Sequence, residues 1–483
     1  MSYFKVNIEV RREAFLPLVF VNKKGAPWQN NKKIRGVETM KRQAKKGDLK
    51  WWQLSMIGVG CTIGTGFFLG SSIAIKKSGF SVLAAFLLAA LGTFLVFQQL
   101  AKLTADHPVE GSFCSYAREA FGNWAGFSNG WVYWSSEMLI IGSQLTAISL
   151  FTRHWFNQVP LWVFASIYAV LGLIVIFTGR SSFEKTENIL AVLKTAAILM
   201  FIIIAVLALC GLLPGKTPDA QFPDRVHELF PFGFMGLWTG LIYTFYAYGG
   251  IEVMGLMAIH LKDPKDSSKS GSLMLITLAV IYVASIGLAM LLVPRGAFTE
   301  QNSPFITSLK DFHLDLIMDI FNGIFIIAGF STLTASLFAV TTLMGTMAKN
   351  GDAPACFAKK EKAKVSWPAL GLTVLVLAAS IVLSLLLPKQ LYEHMTTAAS
   401  LMLLYNWMFI LLSSKKLTKP KMKGNVQIVT ALVLILFAVS GTLFEKNSRP
   451  GFFVSLLFLA VIAVVTMLMK KRWAHQEQKN GQT

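Results

Sequence analysis

The sequence predicts an all-α integral membrane protein that crosses the bilayer twelve times, on three observations: composition, the recurrence of apolar windows and the placement of positive charge. Of 483 residues, 54% are hydrophobic and 14% charged, and mean hydropathy is +0.56, far from the balance of soluble domains. Apolar windows fall at 51–75, 81–103, 123–151, 161–179, 187–212, 234–259, 272–293, 313–348, 368–387, 391–413, 426–443 and 451–469. Each can span about 30 Å of hydrocarbon at about 1.5 Å of rise per residue. Only the turn Pro388-Lys389-Gln390 separates the ninth window from the tenth, and the third and eighth exceed a straight crossing.

The formal charge of +20 gathers in every second loop. Lys45, Lys46 and Lys50 lead into the first window; Lys262, Lys265 and Lys269 follow the sixth; Lys359, Lys360, Lys362 and Lys364 follow the eighth; Lys415, Lys416, Lys419, Lys421 and Lys423 follow the tenth; Lys470, Lys471 and Arg472 follow the twelfth. By the positive-inside rule both termini are cytoplasmic, as an even number of spans requires. No basic stretch is interleaved with stacking aromatics, which argues against nucleic acid as a partner. Cys61, Cys114, Cys210 and Cys356 make no metal-ligand spacing, so free thiols and no metal are expected. No His-Glu-x-x-His, nucleophile elbow or spaced acidic pair appears, so neither enzyme activity nor a cofactor is expected.

Taken in order, residues 1–47 read as a basic, disordered cytoplasmic tail, within which Met40 is an alternative start because a basic run follows it directly. Residues 48–413 hold ten spans, 414–473 hold two more, and 474–483 form a cytoplasmic C-terminal tail. The first span carries Gly58, Gly60, Gly64, Gly66 and Gly70 in mid-membrane. Backbone freed inside a bilayer survives only where protein, water or a ligand satisfies it, so Gly64-Thr65-Gly66 is the candidate substrate site; close helix packing is the alternative. Tyr116 to Gly122 is expected as a short helix on the cytoplasmic surface. Glu137 in the third span and Lys194 in the fifth are ionisable groups inside the membrane and hence functional candidates, unless Glu137 is merely hydrogen-bonded to a neighbouring helix and Lys194 snorkels. With Glu187 near the inner edge, Lys194 lies about 10 Å deeper.

In the sixth span, Gly249, Gly250 and Gly255 sit among Tyr246, Tyr248 and Glu252, and the loop charges make this helix antiparallel to the first. Two glycine-interrupted helices five spans apart are the pattern of a transporter built from two inverted halves with its site between them. In the eighth span Ser331, Thr332, Thr334, Ser336, Thr341 and Thr342 either line a polar path or bond back to their own helix. Ala348-Lys349-Asn350-Gly351-Asp352-Ala353-Pro354 is a helix stop. Glu393 and His394 read as interfacial, and the last two spans as scaffold or partner surface.

A zwitterionic amino acid suits the two breaks. N–H groups around Thr65 and Gly66 form a positive helix end for a carboxylate. Carbonyls around Ile63, Tyr246 and Gly249, with Tyr248 beside them, can accept from an ammonium. At these positions the sequence resembles the amino acid permeases of the amino acid, polyamine and organocation superfamily. The resemblance runs through Ile63-Gly64-Thr65-Gly66-Phe67-Phe68, Gly111-Ser112, Tyr116-Ala117, Phe121-Gly122, Gly130-Trp131-Val132-Tyr133-Trp134, Tyr248-Gly249-Gly250-Ile251-Glu252 and Met347-Ala348-Lys349-Asn350-Gly351-Asp352-Ala353-Pro354.

That resemblance implies the leucine-transporter-type fold: helices one to five and six to ten as inverted repeats, plus two accessory helices. It also implies that the helix-one turn binds the substrate carboxylate, that helix-six backbone and Tyr246 line and gate the pocket, and that Lys194 carries a coupling proton. Glu137 and Glu252 are candidates for a gate or polar path. Where many relatives have Glu after helix six this chain has His260, Asp263-Pro264 stands for Asn-Pro, and Ser268 replaces a later proline, so His260 is a candidate pH-sensitive group at the inner gate. The expected function is import of a neutral, apolar amino acid such as leucine across the plasma membrane by proton symport. Exchange, a cationic substrate, or a non-transporting amino acid sensor stand as alternatives.

Overall fold

Backbone N–H and C=O groups have no water partner in hydrocarbon, so apolar windows must satisfy them internally, and helices do so. The computed structural model describes residues 47–176, 180–214, 221–223, 225–358, 366–386 and 391–480. The N-terminal tail to residue 46 with Met40, the lysines of 359–365 and the Pro388 turn lie outside them. Among the described residues there are no β-strands, only an isolated bridge between Leu49 and Leu261. The helices are α1 (Trp51–Thr62), α2 (Thr65–Phe68), α3 (Gly70–Ser78), α4 (Val82–Asp106), α5 (Phe113–Phe121), α6 (Asn123–Thr152), α7 (Leu161–Ile176), α8 (Arg180–Leu209), α9 (Val226–Leu229), α10 (Gly233–Tyr246), α11 (Ile251–Met257), α12 (Ser267–Leu292), α13 (Pro304–Leu309), α14 (Asp315–Lys349), α15 (Trp367–Leu386), α16 (Leu391–Thr418), α17 (Met422–Gly441) and α18 (Arg449–Asn480).

Among the described residues eight stretches are long and apolar enough to cross a membrane: Thr65–Asp106, Phe183–Leu209, His227–His260, Pro264–Leu292, Asp315–Lys349, Tyr392–Thr418, Met422–Gly441 and Arg449–Lys470. Leu161–Ile176 and Trp367–Val382 are shorter apolar helices. The 30-residue α6 is not among the eight, yet it is buried along nearly its whole length, packed between α14, α16 and α5. Its polar residues therefore face protein. Helix α17 packs on α4, α10 and α16, and α18 on α16 and α6. Their apolar windows are only 28% and 11% buried, so they lie at the periphery.

Three local expectations change. Helix α5 buries Phe113, Tyr116 and Ala117 against α6 and α16 instead of lying on a surface, because its apolar face has protein to cover it. The C-terminal stretch expected as a tail from 474 continues α18 to Asn480; Gln476, Glu477, Gln478 and Lys479 are good helix formers, and no glycine or proline intervenes. Glu393 is buried, not interfacial: Lys77 pairs with it at 2.9 Å, and the Tyr243 hydroxyl donates to it at 2.9 Å. A buried acid is tolerable when a cation and a donor face it.

The stop after the eighth window is a C-cap in which the Gly351 N–H donates to the Ala348 carbonyl and the Asp352 N–H to the Met347 carbonyl. Asp352 then pairs with Arg118 of α5, and its carbonyl accepts from the Trp131 indole at 3.1 Å. One cap thus holds the ends of α14, α5 and α6 together.

Candidate functional site

The first span is broken where the glycines stand. Helix α1 ends at Thr62; Ile63 and Gly64 are extended, and the chain re-enters helix at Thr65. A further step at Leu69 separates α2 from α3. The sixth span is broken likewise: α10 stops at Tyr246, and α11 begins at Ile251 after Gly250 at φ +120°. Only glycine holds that conformation without strain. A Cβ there would also lie 2.9 Å from the Cys61 carbonyl, and one on Gly66 2.9 Å from the Tyr246 ring. The glycines let the two breaks touch.

Between the breaks lies a cavity of about 30 Å³. Thr62, Gly64, Gly66, Tyr246, Gly249 and Gly250 form one wall; Glu137, Ile140 and Gln144 of α6 with Thr332, Ala335 and Ser336 of α14 form the other. A volume of about 30 Å³ is that of a single water, so an amino acid needs the walls to separate. The Thr65 hydroxyl donates to Gln144 at 2.5 Å, and the Thr65 carbonyl accepts from the Tyr392 hydroxyl at 3.0 Å. The hydroxyls of Tyr246 and Ser143 bond at 2.5 Å. Above them Phe67 stacks on Tyr282 at 3.7 Å and Phe68 on Phe325 at 4.3 Å between ring centroids. These contacts cover the cavity at the end that carries Lys77.

Of the sequence candidates, Gly64, Gly66, Tyr246, Gly249 and Glu137 line this cavity. Ile63 is the extended residue that turns the chain, and Thr65 opens α2. Tyr248 packs instead with Phe86 and Tyr282. Glu252 faces away: it accepts from the Gly250 N–H at 3.0 Å and from the Trp407 indole, so it caps the start of α11, where a negative charge meets the helix dipole favourably. Gln144 went unnoticed in the sequence, although its place seven residues from Glu137 puts it on the same helix face.

Lys194 is fully buried. Its ammonium donates to the Gly60 carbonyl at 2.5 Å and to the Ser331 hydroxyl at 2.7 Å. Ser331 donates in turn to Glu187 at 2.8 Å. Glu187 is buried to 1% exposure and belongs to the same network, which ties α8 and α14 to the first half of the broken helix. Among the eighth-span hydroxyls, Thr334 and Thr341 bond back to their own helix, whereas Ser331 reaches across.

At the other end, one turn further along both α11 and α14, a second cavity of about 420 Å³ is lined by Leu256, Met257, His260, Phe338, Thr341 and Thr342, with Glu110 and Lys349 at its rim. The His260 carbonyl accepts from the Leu49 N–H at 3.0 Å, and the Leu49 carbonyl accepts from the Lys262 N–H at 2.9 Å.

A polytopic helical membrane protein whose two interrupted helices meet at a buried cavity is a class in itself, and comparison with known proteins narrows it. The description "Amino acid permease" matches residues 53–478, and the chain belongs to that family, whose members are transporters of amino acids. It is 71% identical over 438 residues to the uncharacterized transporter YcgH of Bacillus subtilis, covering 91% of this chain and 98% of that protein. It is 30% identical to the aromatic amino acid transport protein AroP of Corynebacterium glutamicum, covering 86% and 95%. It is 27% identical to the L-asparagine permease of Escherichia coli, covering 86% of each.

Proposed function

We propose that this chain is a secondary active transporter that imports a neutral amino acid across the plasma membrane by alternating access, coupled to a proton. The observation that carries the reading is the meeting of two broken, oppositely directed helices at one cavity. The helix start at Thr65 offers N–H groups to a carboxylate, and the carbonyls around Thr62, Ile63 and Gly249 can accept from an ammonium, with no charged side chain required. Ten of the twelve apolar windows fall mainly on one described helix each, and the first and sixth on the interrupted helices, which supports a twelve-span reading. The interrupted pair stands five windows apart, which supports two inverted five-helix halves within 48–413, with α17 and α18 added. The loop charges support cytoplasmic termini.

Lys194 suits proton coupling because its partners, a carbonyl of the broken helix and a hydroxyl shared with Glu187, let a gain or loss of charge bear directly on α1. Neutrality is supported by relatives named for aromatic amino acids and for asparagine. The leucine-like preference expected from the sequence rested on aromatic residues near the breaks. Tyr248 packs away from the cavity and polar side chains take its far wall, so the class is kept at neutral. In this conformation aromatic stacking and the buried Lys77–Glu393 pair stand between the site and the Lys77 end, while the cavity at the His260 end begins one turn from the site, which supports release toward the cytoplasm along α11 and α14.

The test is uptake of a labelled amino acid panel into proteoliposomes with and without an inward proton gradient, for wild type and Lys194→Ala. Accumulation driven by the gradient and lost in the variant supports symport. Uptake indifferent to the gradient points to exchange, and saturable binding without uptake to a sensor.

A further inference from the structure

The far wall of the site cavity is a ladder of polar, apolar and polar groups. On α6, Glu137, Ile140 and Gln144 share one face at intervals of three and four; on α14, Thr332, Ala335 and Ser336 do the same. Gln144 stands level with the helix-one break, since it accepts from Thr65. Glu137 stands seven residues away, about 10 Å along α6, next to Ser336 and Tyr133. Ile140, Val253 and Ala335 lie on the cavity wall between these levels. Glu137 nevertheless lines the same cavity as Gly64 and Gly66 of the break, so the side chain of an amino acid held at the break extends along this wall toward the carboxyl group.

Resting on the transport reading above, we propose that Glu137, with Ser336, reads the end of the substrate's side chain, and that the preferred substrates are neutral amino acids whose side chain ends in an N–H or O–H donor. The chemistry is one of unmade bonds. Glu137 is buried to 3% exposure, and a carboxyl group has room for several donors. Ser336 and the Tyr133 hydroxyl fill only part of that capacity. An amide, phenol or indole bonds the remainder, whereas an aliphatic side chain of equal shape seals that remainder away unmade. A site built to hydrogen-bond a substrate group rejects the analogue that lacks it far more strongly than an apolar pocket separates two hydrocarbons. The other buried acid nearby, Glu252, is occupied by Gly250 and Trp407, so discrimination falls to Glu137.

The experiment uses the full chain in proteoliposomes taking up labelled alanine, which carries the shared backbone groups and almost no side chain, against unlabelled competitors in near-isosteric pairs: leucine and asparagine, methionine and glutamine, phenylalanine and tyrosine. In the pair that fits the cavity, the donor-bearing member inhibits at about tenfold lower concentration. Glu137→Leu brings the ratio within about twofold, and Glu137→Gln, which keeps the shape and an accepting carbonyl, leaves an intermediate ratio. Should Glu137→Leu fail to fold, Ser336→Ala lowers the same ratio. Apolar members inhibiting as well as their partners in every pair overturns the proposal, and so does a ratio unmoved by all three variants. Lysine or arginine outcompeting the whole panel overturns its neutral part. Absence of saturable uptake for any amino acid overturns the transport reading itself, a result distinct from the others.

Discussion

A lysine inside a bilayer needs acceptors wherever its ammonium can turn, and Lys194 has the Gly60 carbonyl and the Ser331 hydroxyl. Removing one member of a buried charged network leaves the other uncompensated, at about 3–5 kcal/mol. Lys194→Ala is therefore expected to lower the melting temperature in detergent more than the double variant Lys194→Ala/Glu187→Gln, in which no acid is left stranded. A double variant no more stable than the single one would mean that Glu187 does not answer to this lysine. Gly250 makes a second residue-scale prediction. Its φ of +120° and the Cys61 carbonyl against its face leave no room for a methyl group, and an L residue held in such backbone costs about 1–3 kcal/mol. Gly250→Ala should lower both the melting temperature and uptake, while Gly371→Ala on α15, where a Cβ meets nothing within 4 Å and alanine is the better helix former, should lower neither.

Among elements, α14 does three jobs along its 35 residues. Ser331 engages the lysine network, Thr332 to Ser336 wall the cavity, and the cap at Asp352 fastens α5. The cap is a testable tie. Asp352 is 3% exposed and its Arg118 partner 13%, so Asp352→Ala strands a largely buried guanidinium and is expected to cost about 3 kcal/mol or more. The double variant Arg118→Met/Asp352→Leu should recover much of that loss. Equal melting temperatures for the wild type and Asp352→Ala would show that the tie contributes nothing.

On the scale of the whole molecule, the small cavity between the breaks and the larger one at His260 are joined by one turn of α11 and one turn of α14. Thr342 projects into the larger cavity and is exposed. Thr342→Trp should fill this route, cutting uptake more than about tenfold while substrate binding in detergent and the melting temperature stay near wild type. Undiminished uptake would place the exit elsewhere. At the opposite end, Lys77, Glu393, Glu445 and Tyr243 bind the end of α3 to α10, α16 and the loop before α18 through largely buried groups, whereas the Glu110–Lys349 pair at the rim of the larger cavity joins two exposed side chains at 3.5 Å.

Much of this was legible in the sequence, because bilayer physics is one-dimensional. Length and hydropathy mark which windows become helices, and glycine in mid-membrane marks where a helix must break; so Gly64-Thr65-Gly66 and Tyr248-Gly249-Gly250 located both breaks. An ionisable group in mid-membrane also implied that Glu137 faces protein, although which face of its helix meets the pocket was not legible. The partner of each buried group was not legible, since a hydrogen bond between α8 and α14, or between α6 and α2, joins residues far apart in the chain, and nothing local records it. Hence Glu187 joined the Lys194 network, Glu252 moved from a gate candidate to a helix cap, Tyr248 from the pocket into an aromatic cluster, and Gln144 came to the cavity wall. Sequence determined where the backbone must open; only tertiary packing, by bringing distant donors and acceptors within 3 Å, decided which side chains face the opening.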